Sequence, residues 1–457
     1  MAQRGRLSAS ERLFRARRIS VTFGRIYLGI KTNQWIARRL APRDMKRRWS
    51  RFNRQSAWSI YDTAIDLRGM ILKGCQFVGS RADVMPPEYV DVLSQLQDRV
   101  PAHPIEVVRE LVEDELDAPL ERLFESFSEE PIAAASLAQV HDATLPGGRR
   151  VAVKVQYPEI AGLVRSDLAN LKALFRAVGF VERDFDLMPL ITELGEHVPR
   201  ELDFIHEGRN SEAVAKFFEG RDDIHVPSVH WDYTTARVLV TDYVDGIKIS
   251  DRDALSAAGV DRAAVMQTLV EAYCEQILVH GLFHADPHPG NLMVLPPEQE
   301  DGAPRLVFID FGLTKQLPPA FRETVLHFAA ALLQGDPARM AQALVDLGFE
   351  TREDPEEALL SISTLLLEVA KRLRHQTWVD PAVVREAGEE LPKLIRENPI
   401  VRMPGHVVLL GRVIALLSGL GHTLGVRIDM LRTILPYAMG QRPAPPISKP
   451  ARTAERD

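Results

Sequence analysis

The sequence predicts an α+β protein of two lobes, the first built on a small β-sheet and the second helical, with a helical segment ahead of both. Three observations carry this. Residues 56–130 place apolar residues such as Leu93, Leu96 and Val100 at helical intervals. From Pro131 the pattern changes to a strand, a turn at Pro146-Gly147-Gly148 and a second strand of alternating type, Val151–Val155. From Asp251 it is helical again, apart from short strands at Asn291–Leu295 and Leu306–Ile309 around one polar stretch. The expected divisions are an arm at 1–55, a helical extension at 56–130, a sheet lobe at 131–245, a helical lobe at 246–440 and a proline-rich disordered tail at 441–457.

At 457 residues, 46% hydrophobic and 26% charged, the chain has material for two or three globular domains. Cys75 and Cys274 lie far apart and form no CxxC, so neither a disulfide framework nor a zinc site is indicated and a reducing compartment fits. The net charge of −7 is unevenly spread. Residues 1–55 hold sixteen Lys/Arg against Glu11 and Asp44, a charge of +14 that leaves −21 for the remainder. A basic arm on an acidic body predicts an anionic partner for the arm.

In that arm Ile19, Phe23, Ile26, Tyr27 and Ile30 recur at helical spacing, with Arg15, Arg18, Arg25 and Lys31 around them. Such a helix can lie on anionic lipid or pack on its own protein with solvated arginines, and the spacing leaves both open. The first ten residues are polar, so no secretory signal is expected. Val407–Leu424 is apolar but broken by Arg412 and His422, short of the roughly 20 apolar residues of a spanning helix, so no transmembrane helix is expected. The expected location is cytoplasmic and peripheral to a membrane.

The extension contains KGCQ, where Lys73 and Gln76 are polar in core-like surroundings. The hairpin that follows can be an ordinary one with a surface lysine or a nucleotide-binding one: Ala133, Ala134, Ala135 and Ser136 precede its first strand, and Lys154 sits near the end of its second. A turn there would cover phosphates that the lysine reaches, and alanines where glycine is expected make it stiffer. A helix is expected near Leu163–Val178. A second, from Met188 to Phe218, carries Glu201, Asp203 and Glu207, one of which can pair with Lys154; Asn210 lies beside them. Strands at Ile224 and Arg237 complete the lobe, and backbone groups at Asp242, Tyr243 and Val244 are candidates for an adenine edge.

The polar stretch runs from HADPHPGN at His284 to FIDFG, ending at Gly312. Asp286 and Asn291 stand five apart, and Asp310 follows nineteen later. Asn291 and Asp310 offer hard oxygens to Mg²⁺, while Asp286 can orient or deprotonate an attacking hydroxyl. Asp-Phe-Gly alone is weak; the HxDxxxxN pattern at the right distance upstream makes the pair informative. His280, His284 and His288 share i, i+4 spacing, but Pro287 and Pro289 break any common helical face, so His284 is expected to support the loop rather than a metal.

In this order, KGCQ with SRADVMPPEY and LQDRVP, AAASLAQVH, VAVKVQYP, ELDFIHEGRN, HADPHPGN and DFG resemble the UbiB/ADCK family of atypical protein-kinase-like proteins over roughly Arg54–Gly425. The resemblance implies a bilobal protein-kinase-like fold with a family-specific N-terminal helical extension. It further implies ATP or ADP with Mg²⁺ as cofactors, Lys154 on the phosphates with Glu201 as its ion-pair partner, Asp286 as the catalytic aspartate, and Asn291 and Asp310 on the metal. Lys73 and Gln76 would fold over the site where a peptide would otherwise lie, near Asp203 and Glu207. Cys75 stands at the family's KxGQ glycine, and Ala138 where many relatives have glycine.

The function so implied is ATP hydrolysis supporting ubiquinone or other isoprenoid-quinone biosynthesis, with lipid intermediates and lipid-biosynthesis proteins as partners and no nucleic acid. A protein or small-molecule kinase and a non-catalytic nucleotide-binding scaffold are the alternatives.

Overall fold

The computed structural model describes residues 8–37, 42–69, 71–72, 74–75, 85–98, 102–135, 137–181, 195, 202–297, 302–352, 355–374, 398, 400–402, 404–426, 428 and 430–438. They belong to two units, one formed by Met1–Arg209 with Ser228–Val244 and the other by Asn210–Pro227 with Asp245–Asp457. The expected tail at 441–457 lies outside the described residues.

The first unit opens with the helices Ala9–Ala37 and Pro42–Leu67, which pack on each other. Ile19, Ala57, Ala64 and Leu67 are buried with Leu72, Leu93, Leu96, Ile160 and Val164 in one core. Arg15 is buried too: its Nε donates to Asp167 at 2.9 Å, on the helix Ile160–Val181, and a second nitrogen donates to the Leu67 carbonyl. Burial pushes the Asp167 carboxyl up, against the hydrogen bond and charge of Arg15. Arg18 bonds Asp66 at 2.7 Å.

These contacts decide between the two placements that the spacing leaves open. Ile19 and Phe23 pack into the unit's own core, Arg15 is committed to the buried Asp167, and Arg18 pairs with the half-exposed Asp66. The apolar side chains left exposed on this helix are Leu13, Phe14, Val21, Leu28 and Trp35, four of them seven residues apart. Seven residues are nearly two helical turns, so Phe14, Val21, Leu28 and Trp35 form one outward stripe.

A five-stranded antiparallel sheet follows. It comprises β1 (Ser126–Phe127), β2 (Ala133–Ala134), β3 (Ala138–Leu145) and β4 (Arg149–Gln156). β5 (Ile224–His225) joins the second unit, and β6 (Val238–Asp242) completes this sheet in the order β1-β3-β4-β6, with β2 also on β3. The β3–β4 turn uses Gly147 and Gly148 at φ 98° and 81°, which a side chain would resist. Alternation along β4 sends Val151, Val153 and Val155 into a core with Val108, Leu111 and Val112 of the helix Ile105–Leu116. Lys154 therefore projects from the other face, where Phe204, Ala138 and Leu239 pack.

In the second unit, β7 (Ile247–Lys248), β9 (Leu292–Leu295) and β10 (Arg305–Phe308) form a sheet with β5, in the order β5-β10-β9-β7. β5 pairs in parallel with β10, Leu306 opposite Ile224, so this segment departs from the expectation that it completes the first lobe's sheet. The apolar run Leu306–Phe308 is buried on both faces of this sheet. β8 (Leu282–His284) pairs with β11 (Thr314–Gln316), His284 opposite Thr314.

Behind these strands, the helix Arg262–Cys274 begins at Asp261, whose carboxylate accepts from the Ala263 amide at 2.8 Å. It runs into a π-helical turn, Glu275–His280, closed by Gly281 at φ 70°. The helices Pro319–Gln334, Pro337–Leu347 and Pro355–Arg374 pack in succession, and Gly405–Leu424 and Met430–Ala438 follow. Gly405–Leu424 is long and apolar enough to cross a membrane by length and composition alone, the one such helix among the described residues, which is weak evidence against the expectation of no transmembrane helix. Leu409, Val413, Leu417, Leu420 and Leu424 nevertheless bury one side of it in this unit's core.

Candidate nucleotide and phosphoryl-transfer residues

Each unit carries its own set of candidate residues. In the first, β4 sets Lys154 between Val140 of β3 and Leu239 of β6. Its Nζ donates to both carboxylate oxygens of Glu207, at 2.7 and 3.0 Å, and lies 5.2 Å from the centroid of the Phe204 ring. Glu207 is 4% exposed and occupies the first turn of the helix Phe204–Phe217, where the helix dipole favours a negative charge. A buried pair of this kind holds the lysine in one direction, because separating it strands a charge.

The pairing differs from the role expected of Glu201, which lies outside the described residues, as do Lys73, Gln76 and Ser136. The acid seen on Lys154 is Glu207, which the resemblance had placed with the covering element. Asp203 sits at the start of the same helix. Its Oδ1 accepts from the Ile205 amide at 3.1 Å, and its carbonyl accepts from His206 and Glu207.

The alanine turn is fastened at three points. Ala133 and Ala134 pair with Val140 and Gln139, and the Ala135 amide donates to the Ala138 carbonyl at 2.8 Å. The Tyr157 hydroxyl donates to the Ala135 carbonyl at 3.0 Å, and burial pushes that phenol up to about 12. Ala138 is buried against Phe204 and Leu239, so the methyl group replacing a glycine hydrogen fills core space. Cys75 likewise buries its thiol with Ile71 and Leu72.

At the end of β6 the Asp242 and Tyr243 amides are already bonded, to the carbonyls of Ser228 and Arg150. The Asp242 carboxylate takes Arg149 at 2.8 Å and His230 at 2.9 Å. Burial raises this carboxyl, but those bonds outweigh it and leave it below the usual carboxylate range. The Arg150 guanidinium lies 3.7 Å from the centroid of the Tyr243 ring.

In the second unit, His284 is wholly buried and joins the two motifs. Its Nε2 donates to the Asp310 carbonyl at 2.6 Å, and its Nδ1 accepts from the Asp286 amide at 3.3 Å, which assigns the neutral ring with its proton on Nε2. The Gln276 carboxamide, on the π-helical turn, accepts from the His284 amide at 2.9 Å. Asp310 has φ 62°, a left-handed conformation that costs an aspartate energy and persists where neighbours hold it. The His284 bond and a Gly312 amide donating to Asp310 Oδ1 at 3.2 Å do so.

Asn291 is locked by three bonds: its amide to the His288 carbonyl, its carbonyl to the Ile309 amide, and its Nδ2 to the Asp286 carbonyl at 3.2 Å. With Nδ2 committed as donor, Oδ1 is the atom it can offer a cation. That oxygen and the Asp310 carboxylate are the hard donors Mg²⁺ takes, so the residues fit the ion. Asn210, in the same unit, donates from Nδ2 to the Phe311 carbonyl at 3.3 Å and steadies the DFG turn. His280 stacks on Phe217 at 3.8 Å and His288 caps the Pro289–Asn291 turn, so the three histidines do different work.

One contact was not anticipated. Arg412, of the apolar helix Gly405–Leu424, donates from Nη2 to Asp286 Oδ1 at 2.7 Å. Its signal in the sequence is a lone arginine amid apolar residues, which by itself marks only a break in an apolar run.

The chain is similar to known proteins over most of its length. A family model described as the ABC1 atypical kinase-like domain matches residues 95–344. The chain belongs to this family.

Among ABC1-family relatives, the chloroplastic protein ACTIVITY OF BC1 COMPLEX KINASE 8 of Arabidopsis thaliana is 35% identical over 396 residues, covering 80% of this chain and 51% of that protein. AarF domain-containing protein kinase 1 of Xenopus laevis is 35% identical over 291 residues, 64% of this chain and 56% of the relative. The chain thus spans about half the length of these curated relatives. A Mycobacterium tuberculosis protein solved in complex with erythromycin superposes with a TM-score of 0.58 at 24% identity, over 83% of this chain and 94% of that one, a likeness of fold. ABC1 membership makes the chain kinase-like.

Proposed function

We propose that this chain hydrolyses ATP with Mg²⁺ at an anionic membrane surface, in support of ubiquinone or another isoprenoid-quinone pathway. The observation that carries the reading is the His284 bridge, which fixes Asp286 and Asp310 to one buried ring while Asn291 is locked to the Asp286 carbonyl. A scaffold that only holds nucleotide has no need of a pinned aspartate and two hard oxygen donors together.

In this reading Lys154, steered by Glu207, takes phosphate oxygens, and the Val244 amide serves the adenine edge now that its two neighbours are spent. Asn291 Oδ1 and the Asp310 carboxylate would hold Mg²⁺, which when bound would supply charge neutralisation at the terminal phosphates. Asp286 accepts the proton of the attacking water as the new P–O bond forms; the bond to the γ-phosphorus breaks and its electron pair leaves on ADP. Water as acceptor, rather than a peptide, rests on the stiff alanine turn and on the family's covering element.

The membrane part of the proposal moves from the paired arginines to the outward stripe Phe14, Val21, Leu28 and Trp35, with exposed Arg12, Arg17 and Arg25 on the same helix. Apolar side chains inserted at the interface and cations among the headgroups are how such helices bind anionic lipid.

The test is MgATP hydrolysis by the purified chain, with neutral or anionic vesicles and with a phenolic isoprenoid added. Asp310→Asn is expected to abolish turnover, and anionic vesicles with the phenolic lipid to stimulate the wild type. Turnover indifferent to Asp310→Asn overturns the metal assignment.

A further inference from the structure

Asp286 is the residue on which the proposed chemistry turns, yet one of its two carboxylate oxygens is already occupied. Oδ1 accepts the Arg412 bond at 2.7 Å, while among the described residues no hydrogen bond reaches Oδ2. The carboxylate is 25% exposed and the arginine 13%. One oxygen is thus tied from the protein side while the side chain remains open to solvent.

The position of Arg412 is otherwise unfavourable. It interrupts an apolar face of the helix Gly405–Leu424, next to buried Val413 and near Leu409. Among the described residues its Nε is buried without a hydrogen-bond partner, a condition that proteins largely avoid. An apolar residue would satisfy the helix better, and the ion pair with Asp286 is what the arginine offers in exchange. A guanidinium is also suited to this task in a way an ammonium is not, since its planar fork is rigid and always charged. Tyr273, on the adjoining helix, stands 3.5 Å from His284 Nδ1; its buried phenol is held far above its ordinary range, first by burial and then by the Asp286 charge, so it stays neutral.

We propose that Arg412 is a positioning residue for phosphoryl transfer: by holding Asp286 Oδ1, it fixes the carboxylate so that Oδ2 receives the acceptor's proton. The assignment rests on the phosphoryl-transfer reading above. Backbone bonds from His284 and Asn291 place the main chain of Asp286, and Arg412 supplies the constraint on its side chain that those bonds cannot. The pair lies within one unit and joins residues 126 apart in sequence.

The test compares the full-length wild type with Arg412→Met, Arg412→Lys, Asp286→Asn and the double variant Arg412→Met/Asp286→Asn. Methionine suits the helix, and retained MgADP binding by calorimetry verifies that each variant is folded. For Arg412→Met, kcat for MgATP hydrolysis is expected to fall by about tenfold or more with KM within about twofold, since loose orientation of a catalytic group costs turnover rather than binding. Arg412→Lys should recover part of the loss. Adding Arg412→Met to Asp286→Asn should cause no further loss, because the arginine acts through the aspartate.

A folded Arg412→Met protein with kcat equal to or above that of the wild type, while Asp286→Asn is inactive, overturns this assignment and leaves the reading of the site intact. Turnover unaffected by Asp286→Asn, or none in the wild type with water or any hydroxyl acceptor, overturns the phosphoryl-transfer reading and the role of Arg412 with it. An additive loss in the double variant means that Arg412 acts elsewhere, and also rejects the proposal.

Discussion

Arg15 and Arg412 each bond an aspartate from a largely buried position, and they do so to different ends. Arg15 and Asp167, in the first unit, leave 8% and 0% of their side chains exposed, and Arg15 spends a further nitrogen on the Leu67 carbonyl. Arg412 and Asp286, in the second, leave 13% and 25%, with a guanidinium nitrogen unsatisfied. The first pair is sealed and pins the helix Ala9–Ala37 to the helix Ile160–Val181. The second keeps its carboxylate within reach of solvent at the expense of its own hydrogen bonding. Burial of the carboxylate, more than the presence of the ion pair, separates a pin from a tool.

The largest effect expected from this contrast is on folding. Arg15→Met strands Asp167 in the core and should cost about 3–5 kcal/mol in denaturant unfolding. Arg15→Met with Asp167→Leu should recover most of that, since an apolar pair can replace a buried ionic one. If the single variant melts like the wild type, Arg15 is no pin.

Lys154→Met comes next and should act on ligand binding: MgADP affinity, read by calorimetry, is expected to fall by about tenfold or more once the phosphate cation is gone. Glu207→Gln should weaken binding less, because the lysine survives while its direction is lost. Equal affinities in all three proteins would break the assignment of the pair.

A smaller effect belongs to Arg412→Met, whose stability should stay within about 1 kcal/mol of the wild type because the aspartate it leaves is hydrated. A loss as large as that of Arg15→Met would erase the distinction drawn above.

The smallest concerns pH. Asp242 has a folded value below its unfolded one, so its contribution is present above the usual carboxylate range and is lost as pH falls through the folded value. Asp167, raised by burial, runs the other way: its contribution is full below the unfolded value and declines as pH rises through the folded one. Asp242→Asn should therefore flatten the acid side of the stability profile, whereas Asp167→Asn should remove a decline toward neutral pH. Profiles unchanged by both substitutions would contradict these directions.

The motifs explain why so much was legible beforehand. HADPHPGN and FIDFG put His284, Asp286, Asn291 and Asp310 within one short stretch, so spacing alone could suggest their roles, and β4 alternation could place Lys154 opposite the core-facing valines. Which acid meets Lys154 could not be read, because the partner lies 53 residues away and the helix carrying it begins at Phe204, later than periodicity indicated. Arg412 is more distant still from Asp286, and Arg15 is 152 residues from Asp167. Helical spacing showed that the arm was amphipathic but not which side faced inward, since Ile19 and Phe14 are both apolar and only tertiary contacts choose between them.

The two cysteines divide between the units, Cys75 in the first and Cys274 in the second, and burial pushes both thiols up to about 12. The reactive thiolate is thereby almost absent near neutrality, and neither sulfur can be alkylated until its surroundings open. Each unit thus carries its own internal clock: the labelling rate at Cys75 times the opening of the core that Cys75 shares with Ile71 and Leu72, while that at Cys274 times loosening behind the His284 loop.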